Sequence, residues 1–196
     1  MLLKAITFDI WETIFVDGSD EPKRAAQGMR PKSDERRHLF WSALNDQAPL
    51  DKALSDAAFD VHEAAFRKAW HSMSVTWEVA DRIDILLDGL NRDLPRDVRD
   101  DLIAKFEDME LCVPPDLIDG ARDAIAELAG RYNLCIISDT IYTPGRGLRD
   151  LLAHHGVAQY FSGFVFSDYA GRSKPHPDCF RSAATQLGVE FSEMLH

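Results

Sequence analysis

Three side chains capable of polar chemistry follow short apolar segments of this sequence. Asp9 ends the segment LLKAITFD, Ser138 ends NLCIIS, and Lys174 lies in GRSKPHPDCF, shortly after FSGFVFS. A carboxylate can attack an electrophilic phosphorus or carbon and form a covalent ester, which divides one difficult displacement into two easier ones. A hydroxyl can hydrogen-bond developing charge, and an ammonium group favours the ionised form of a nearby carboxylate. In one crevice, these groups could carry out hydrolysis.

Each of these residues, taken singly, also has an ordinary structural interpretation. An Asp after a strand often serves as a turn residue or helix N-cap, and a Ser often supplies a turn hydroxyl. A Lys is usually a solvated surface residue. The elements around the three residues therefore decide whether they meet.

Strands and helices are predicted to alternate outside the middle of the chain. Short apolar runs predict strands at residues 2–8 and 133–138 and within FSGFVFS, and helical patterns follow each of the last two. This alternation indicates an α/β fold with a doubly wound parallel sheet. Ligands bind at the carboxyl ends of strands in such sheets, so we expect the three side chains to line one crevice.

The middle of the chain is predicted to be entirely helical. Between about residues 20 and 110, apolar residues recur at spacings of three and four, and no strand pattern interrupts them. Pro114 and Pro115 end this block because proline stops helices and restricts the residue before it. We expect the connections near residues 16–20 and 112–118 to act as hinges.

Composition excludes several classes of function. The chain has 196 residues, is 45% hydrophobic and carries a net charge of −11, which argues against nucleic-acid and anionic-membrane partners but not against a small anionic substrate. No segment approaches the roughly 20 continuous apolar residues of a membrane span. Three widely spaced cysteines predict reduced thiols in a cytoplasmic protein. The oligomeric state is not predicted.

The motifs FDIWET, IISD and GRSKPHPDCF resemble those of the haloacid dehalogenase-like (HAD) hydrolase superfamily, and the likeness extends over nearly the whole chain. The resemblance implies a Rossmann-like HAD core formed by residues 1–16 and 115–196. It also implies an all-helical cap, residues 17–114, inserted after the first strand.

The same resemblance implies roles for individual residues. Asp9 would be the nucleophile, Ser138 and Lys174 would be the other catalytic residues, and Trp11, Thr13 and Asp139 would contact the substrate. The implied function is hydrolysis of a small anionic metabolite through a covalent Asp9 ester, in an enzyme that is phosphatase-like by ancestry.

Trp11 departs from the phosphatase pattern. Phosphatases of the superfamily have a second Asp there as general acid and base, and Trp has no titratable proton to replace it. Glu12 carries a carboxylate, but it stands where the family usually has Gly. The 2-haloacid dehalogenases have Tyr at the position of Trp11, which makes dehalogenase-like activity an alternative, although they have Asn at the position of Asp139. A catalytically impaired member that binds a metabolite or a protein is a further alternative.

Metal dependence follows from this choice of subclass. The resemblance implies Mg²⁺ for a phosphatase-like enzyme, held by the Asp9 carboxylate and the Trp11 backbone carbonyl, and no cofactor for a dehalogenase-like one. The family takes a further carboxylate from an acidic loop that follows the fourth core strand.

The last segment, FSEMLH, is expected to stop before that fourth core strand. The first strand is apolar on both faces and would then have an unpaired edge, which a partner or a second copy would need to cover. Arg24, Arg30, Arg36 and Arg37 are expected at the surface, with one of them within reach of a substrate anion when the cap closes.

Overall fold

A four-stranded, all-parallel sheet forms the centre of the protein, for which a computed structural model describes residues 2–196. The strands are β1 (Ala5–Phe8), β2 (Asn133–Ser138), β3 (Gly163–Phe166) and β4 (Met194–Leu195), in the spatial order β3-β2-β1-β4. The predicted α/β class with a parallel sheet is therefore confirmed.

Side chains of β2 alternate between two apolar layers, as expected for a sheet that is covered on both faces. Leu134 and Ile136 pack in a cluster with Leu148 and Leu151 of the helix after β2. Cys135 and Ile137 belong to a second cluster, with Cys179 and Ala183 of the last helix. This period of two places helices on both sides of the sheet and explains why the strand reads as continuously apolar.

Ten α-helices accompany the sheet in residues 2–196, and two short 3₁₀ turns lie at residues 158–160 and 191–193. Seven of the helices lie between β1 and β2, and the other three follow β2. The helices are α1 (Asp20–Ala26), α2 (Lys32–Gln47), α3 (Lys52–Met73), α4 (Val79–Leu90), α5 (Arg96–Glu107), α6 (Met109–Cys112), α7 (Ala121–Ala129), α8 (Gly145–His154), α9 (Ser167–Ala170) and α10 (Pro177–Leu187).

The segment from α1 to α6, which we call the helical insert, has a hydrophobic core separate from the sheet layers. Helices α2 to α5 contribute to it, with Phe40, Phe59, Ile83 and Phe106 among its buried members. The all-helical character predicted for the middle of the chain is thus present, and the buried apolar residues of α4 (Val79, Ile83, Leu86 and Leu87) recur at helical spacing.

The two connections between the helical insert and the sheet lie side by side. The Val16 N–H donates to the Asp116 carbonyl at 2.9 Å, and the Ile118 N–H donates to the Ile14 carbonyl at 2.9 Å. Lys23 and Asp116 form an ion pair of 2.6 Å across the same junction. Because the connections are hydrogen-bonded to one another, any movement of the insert must involve both.

Two expectations about the first strand need correction. β1 begins at Ala5, and Leu2, which was included in the predicted strand, is 77% exposed. The fourth strand is not missing: β4 pairs in parallel with β1 through Ala5–Met194 and Ile6–Leu195. The Thr7 hydroxyl extends this contact by donating to the Leu195 carbonyl at 3.1 Å. β1 is therefore a central strand, paired with β2 on its other side.

Candidate active site

Asp9 and Lys174 form an ion pair at the carboxyl end of the sheet. The Lys174 Nζ lies 2.7 Å from Asp9 Oδ2, and 37% of the Asp9 side chain remains exposed. The other carboxylate oxygen, Oδ1, accepts the Ile10 N–H at 2.8 Å. Asp9 follows β1 directly, so the end of the strand fixes the carboxylate at the mouth of the crevice while leaving it accessible.

The chain folds Lys174 back under the tip of β2. Its ammonium group also donates to the Ile137 carbonyl at 3.0 Å, one residue before Ser138. Ser138 is the last residue of β2 and is 1% exposed. Because β1 and β2 are paired in parallel, Asp9 and Ser138 lie at the carboxyl ends of neighbouring strands, and Lys174 reaches Asp9 from the loop between α9 and α10. We call Asp9, Ser138, Asp139 and Lys174 the strand-end cluster.

Asp139 is engaged by donors on both sides. Its Oδ1 accepts the Lys174 N–H at 2.9 Å, and its Oδ2 accepts the indole N–H of Trp70 at 3.0 Å. Burial, together with the charge of Asp9, raises the pKa of Asp139 above its ordinary value, although these hydrogen bonds and the Lys174 charge act in the opposite direction. The prediction that Asp139 contacts substrate stays a prediction, but its carboxylate already has two partners within the protein.

The loop after Asp9 has an unusual backbone at Glu12. Glu12 has φ = +55°, a left-handed conformation in which Gly meets no steric cost. Its carboxylate accepts the Asp17 N–H at 2.7 Å, so this side chain closes its own loop. The positive φ gives a physical reason for the Gly that the family usually has here.

Trp11 and Thr13 lie in the same loop with different exposures. Trp11 is half-buried against Phe15, with 6.0 Å between ring centroids, whereas Thr13 is exposed. Trp11 also lines a cavity of about 250 Å³ between the loop and the helical insert, together with Lys32, Arg36 and Tyr142.

Magnesium binding by the Asp9 carboxylate and the Trp11 carbonyl stays a prediction. Magnesium is usually held by one or two carboxylates in octahedral oxygen geometry. Within residues 2–196, no group of three His, Cys, Asp or Glu side chains is placed to hold a metal ion. Of the carboxylates that could bind one at the strand ends, Asp9 is paired with Lys174, and Asp139 faces Trp70 and the Lys174 backbone.

Sequence analysis did not identify His196 or Trp70 as parts of this region. The His196 Nδ1 lies 2.9 Å from the Thr7 hydroxyl on β1. Burial and the nearby Lys174 charge lower the pKa of His196, whereas the Asp9 charge acts in the opposite direction. Neither residue belongs to a local motif. His196 reaches this region through the pairing of β4 with β1, and Trp70 reaches it from α3.

A second polar cluster lies between the helical insert and the sheet and is almost fully buried. The Lys32 Nζ lies 2.8 Å from Asp20 Oδ2 and 3.1 Å from Glu110 Oε1. Arg36 approaches the same Glu110 oxygen at 3.4 Å, and the hydroxyl of Thr143 donates to the other Glu110 oxygen. We call Asp20, Lys32, Arg36, Glu110 and Thr143 the buried ion cluster.

Tyr142 extends this contact into the core of the helical insert. The residue belongs to the segment between β2 and α8, yet its ring stacks under the Arg36 guanidinium at 3.6 Å. The Tyr142 hydroxyl donates to Glu63 at 2.7 Å and accepts from Arg82 at 2.6 Å. Arg82 in turn pairs with Glu63.

The surface placement expected for four arginines is wrong for two of them. Arg24 is 1% exposed and Arg36 is 6% exposed. Arg24 donates to the Arg30 carbonyl at 3.1 Å, and Arg36 faces Glu110. The charges of Lys32 and Arg36 in the cavity wall are thus largely balanced by buried carboxylates.

The parallel sheet, the helical insert after β1 and the Asp9–Lys174 pair at the strand tips describe an α/β protein with a polar cluster at the carboxyl edge of its sheet. The chain belongs to the haloacid dehalogenase-like hydrolases, because the model of that family matches residues 3–196. No curated protein sequence matches this chain.

Solved structures with the same fold include phosphatases and dehalogenases. A HAD phosphatase from Thermococcus onnurineus is 20% identical with a TM-score of 0.59, and the match covers 98% of this chain and 75% of that one. L-2-haloacid dehalogenase from Xanthobacter autotrophicus, with chloropropionic acid covalently bound, is 17% identical with a TM-score of 0.53, covering 98% and 68%. YfnB from Bacillus subtilis, assigned as a HAD-hydrolase and bound to magnesium, is 18% identical with a TM-score of 0.50, covering 95% and 73%. At these identities the likeness shows the fold.

Among the helices of residues 2–196, none combines the length and the apolar character that a membrane span requires.

Proposed function

We propose that this hydrolase acts on a small anionic substrate through a covalent ester of Asp9. The observation that carries the proposal is the 2.7 Å pair between Asp9 Oδ2 and the Lys174 ammonium, at the carboxyl end of the sheet, with the carboxylate still partly exposed. A nucleophile needs both an accessible lone pair and a nearby charge that offsets the repulsion of an anionic substrate.

The reaction has two displacements. In the first, an Asp9 oxygen forms a bond to the phosphorus or carbon of the substrate, and the leaving group departs with the electrons of the bond that breaks. In the second, water attacks the ester, the product leaves, and the Asp9 carboxylate is regenerated. Lys174 would hold the carboxylate ionised and offset substrate charge, and Ser138 would hydrogen-bond developing charge.

Trp11 determines which leaving group departs readily. An alkoxide must be protonated as it leaves, and an indole cannot provide that proton, so phosphate-ester cleavage is expected to be about 10²–10⁴-fold slower than with a general acid in place. A halide leaves without a proton, so Trp11 favours dehalogenase-like activity as the second candidate. Glu12 is a weak candidate to replace the acid, because its Oε1 accepts the Asp17 N–H and holds the side chain toward its own loop.

The helical insert would act as the cap over this site. The cavity of about 250 Å³ beside Trp11 lies between the insert and the loop that follows Asp9, so movement of the insert would change the space next to that loop. Closure about the two hydrogen-bonded connections would exclude water during the first displacement.

A single turnover in H₂¹⁸O, with enzyme in excess, separates the two subclasses and tests the covalent step for the halide substrate. With 2-chloropropionate, water attacks the carbonyl carbon of the ester, so ¹⁸O should appear in the peptide that contains Asp9. With a phosphate monoester, water attacks phosphorus, so ¹⁸O should appear in inorganic phosphate and not in Asp9. Each substrate is tested with and without Mg²⁺.

Asp9→Asn is the matched variant, because it keeps the size of the side chain and removes its nucleophilic charge. We expect it to lose turnover of whichever substrate the native protein hydrolyses. Turnover that survives in Asp9→Asn would overturn the covalent mechanism. A native protein that binds these substrates without turnover would instead support the impaired, ligand-binding member of the family.

A further inference from the structure

Two hydrogen bonds and one ion pair connect α3 of the helical insert to the candidate nucleophile through Asp139 and Lys174. Trp70 donates to Asp139 Oδ2 at 3.0 Å, and the Lys174 N–H donates to Asp139 Oδ1 at 2.9 Å. The Lys174 ammonium then reaches Asp9 at 2.7 Å. Asp139 is the link between an insert helix and the backbone of the residue that pairs with Asp9.

Other contacts hold the same loop against the end of α3. The Ser173 N–H donates to the Ser74 carbonyl at 3.0 Å, one residue before Lys174 and one residue after α3. The Thr76 hydroxyl donates to Ser167 at 2.8 Å, at the end of β3. The loop that carries Lys174 therefore rests on the insert as well as on the sheet.

The chemistry at Asp139 requires a carboxylate. Both neighbours of its side chain are N–H donors, and an ionised carboxylate offers acceptors on both oxygens. An asparagine would turn its NH₂ group toward either Trp70 or the Lys174 backbone, and one donor would then face another. A residue that donated a hydrogen bond to substrate would instead need an N–H or O–H group here.

We propose that Asp139 is a positioning residue through which the helical insert holds Lys174 against Asp9. The proposal rests on the function proposed above, because it assigns the regulation of that same site. When the insert is seated, Trp70 orients the Asp139 carboxylate, which fixes the Lys174 backbone and thereby aims its ammonium group. When the insert moves away, this support is lost, so turnover is coupled to the position of the insert.

Trp70→Phe tests the link, and Trp41→Phe is its matched control. Trp41 is also a half-buried insert residue, and its indole N–H donates to the Leu50 carbonyl at 3.0 Å, a bond made within the insert. Each variant loses one indole hydrogen bond and keeps an aromatic ring. We expect Trp70→Phe to lower kcat about ten-fold with KM unchanged, a loss typical of one buried hydrogen bond, whereas Trp41→Phe should leave kcat unchanged.

Asp139→Asn and the double variant test whether Trp70 acts through Asp139. We expect Asp139→Asn to lower kcat about 100-fold, and we expect Trp70→Phe to have no further effect in that background because its partner is already lost. Independent, multiplicative effects of the two substitutions would overturn the proposal, as would equal kcat values for Trp70→Phe and Trp41→Phe.

Labelling of Lys174 by an amine-reactive acylating reagent provides a readout that does not need turnover. In the native protein the pair with Asp9 should slow labelling, and Trp70→Phe and Asp139→Asn should accelerate it several-fold, whereas Trp41→Phe should not. If the native protein hydrolyses nothing but the labelling pattern holds, the proposed function fails and the link stands. If turnover is intact and labelling is unaffected by Trp70→Phe, the link fails and the function stands.

Discussion

The strand-end cluster and the buried ion cluster use the same kinds of side chain for different purposes. In the former, Asp9 and Lys174 face a crevice, with 37% and 16% of their side chains exposed. In the latter, Lys32 and Glu110 have 11% and 9% exposed, and every charge faces an opposite one. Exposure leaves the first pair free to meet a substrate, whereas burial makes the second a structural connection between the insert and the sheet.

The energetic consequence differs accordingly. A partly exposed pair contributes little to folding because water solvates either partner alone. A buried pair contributes little net stability when intact, but loss of one partner leaves an unpaired charge in a medium that cannot solvate it. Substitutions in the two clusters should therefore separate activity from stability.

The largest effect is expected for Lys174→Met, which removes the charge and keeps much of the chain length. We expect kcat to fall by at least about 10³-fold, because the positive charge no longer assists the displacement. The free energy of unfolding should fall by about 1–2 kcal/mol, because the bond to the Ile137 carbonyl is lost while the partly exposed Asp9 remains solvated. Steady-state kinetics and urea denaturation measure the two quantities. A loss of stability as large as that expected for Glu110→Gln would show that Lys174 has a mainly structural role.

Glu110→Gln should show the reverse pattern. It leaves Lys32 and Arg36 without the carboxylate between them, which we expect to cost about 3–5 kcal/mol of unfolding free energy. Urea denaturation at pH 7 measures this loss. Asp101→Asn, in an exposed pair with Lys105, is the control and should change stability by less than about 1 kcal/mol. Equal effects of the two variants would contradict the distinction.

Sequence analysis could locate the strand-end cluster because its logic is local and topological. Each predicted strand was a short apolar run, and parallel pairing brings the ends of such strands to one edge. It could not locate the buried ion cluster, since Arg36 and Arg37 are adjacent in a polar stretch. Arg36 is buried against Glu110, 74 positions away, and Tyr142, whereas Arg37 pairs with Asp60 near the surface.

The contact between Trp70 and Asp139 was unpredictable for the same reason. They are 69 positions apart in the sequence and meet because α3 packs over the sheet. The spacing of apolar residues predicts the helix but not how it packs. The pattern could identify α3 as a helix and Asp139 as a strand-end residue, but the angle between insert and sheet decides which side chains meet.

Acid should weaken the contact between insert and sheet through Glu63 and Glu110. Burial acts to raise the pKa of Glu63, but the neighbouring His62, the Arg82 charge and the Tyr142 hydroxyl outweigh it and lower the pKa from 4.5 to about 2. The pKa of Glu110 is also lowered, because the charges of Arg36 and Lys32 outweigh burial.

A carboxyl group whose pKa is lowered by folding stabilises the native state above its unfolded pKa and loses that contribution as pH falls. We therefore expect unfolding free energy to decrease between pH 5 and pH 2, with Glu63 responsible for on the order of 2–3 kcal/mol. Urea denaturation across this range measures the slope, which Glu63→Gln should flatten. An identical slope in the variant would exclude Glu63 as the source.

The smallest effects are expected in the loop that follows Asp9. Glu12→Ala keeps a left-handed backbone position occupied by a side chain and loses the bond to Asp17, so we expect about 1 kcal/mol of destabilisation. Glu12→Gly loses the same bond but removes the steric cost, so its stability should be within about 0.5 kcal/mol of the native protein. Thermal unfolding distinguishes the two, and equal losses would show that the positive φ carries no cost.

The length of α3 adds a mechanical consequence. From Lys52 to Trp70 the helix runs roughly 27 Å at about 1.5 Å per residue, from an outer rim where Leu54 is 54% exposed to the indole that touches Asp139. If α3 tilts by about 5° about its Lys52 end, Trp70 is displaced by roughly 2 Å. A displacement of that size would break the 3.0 Å hydrogen bond between Trp70 and Asp139, so a small tilt of α3 would release the Asp139 carboxylate.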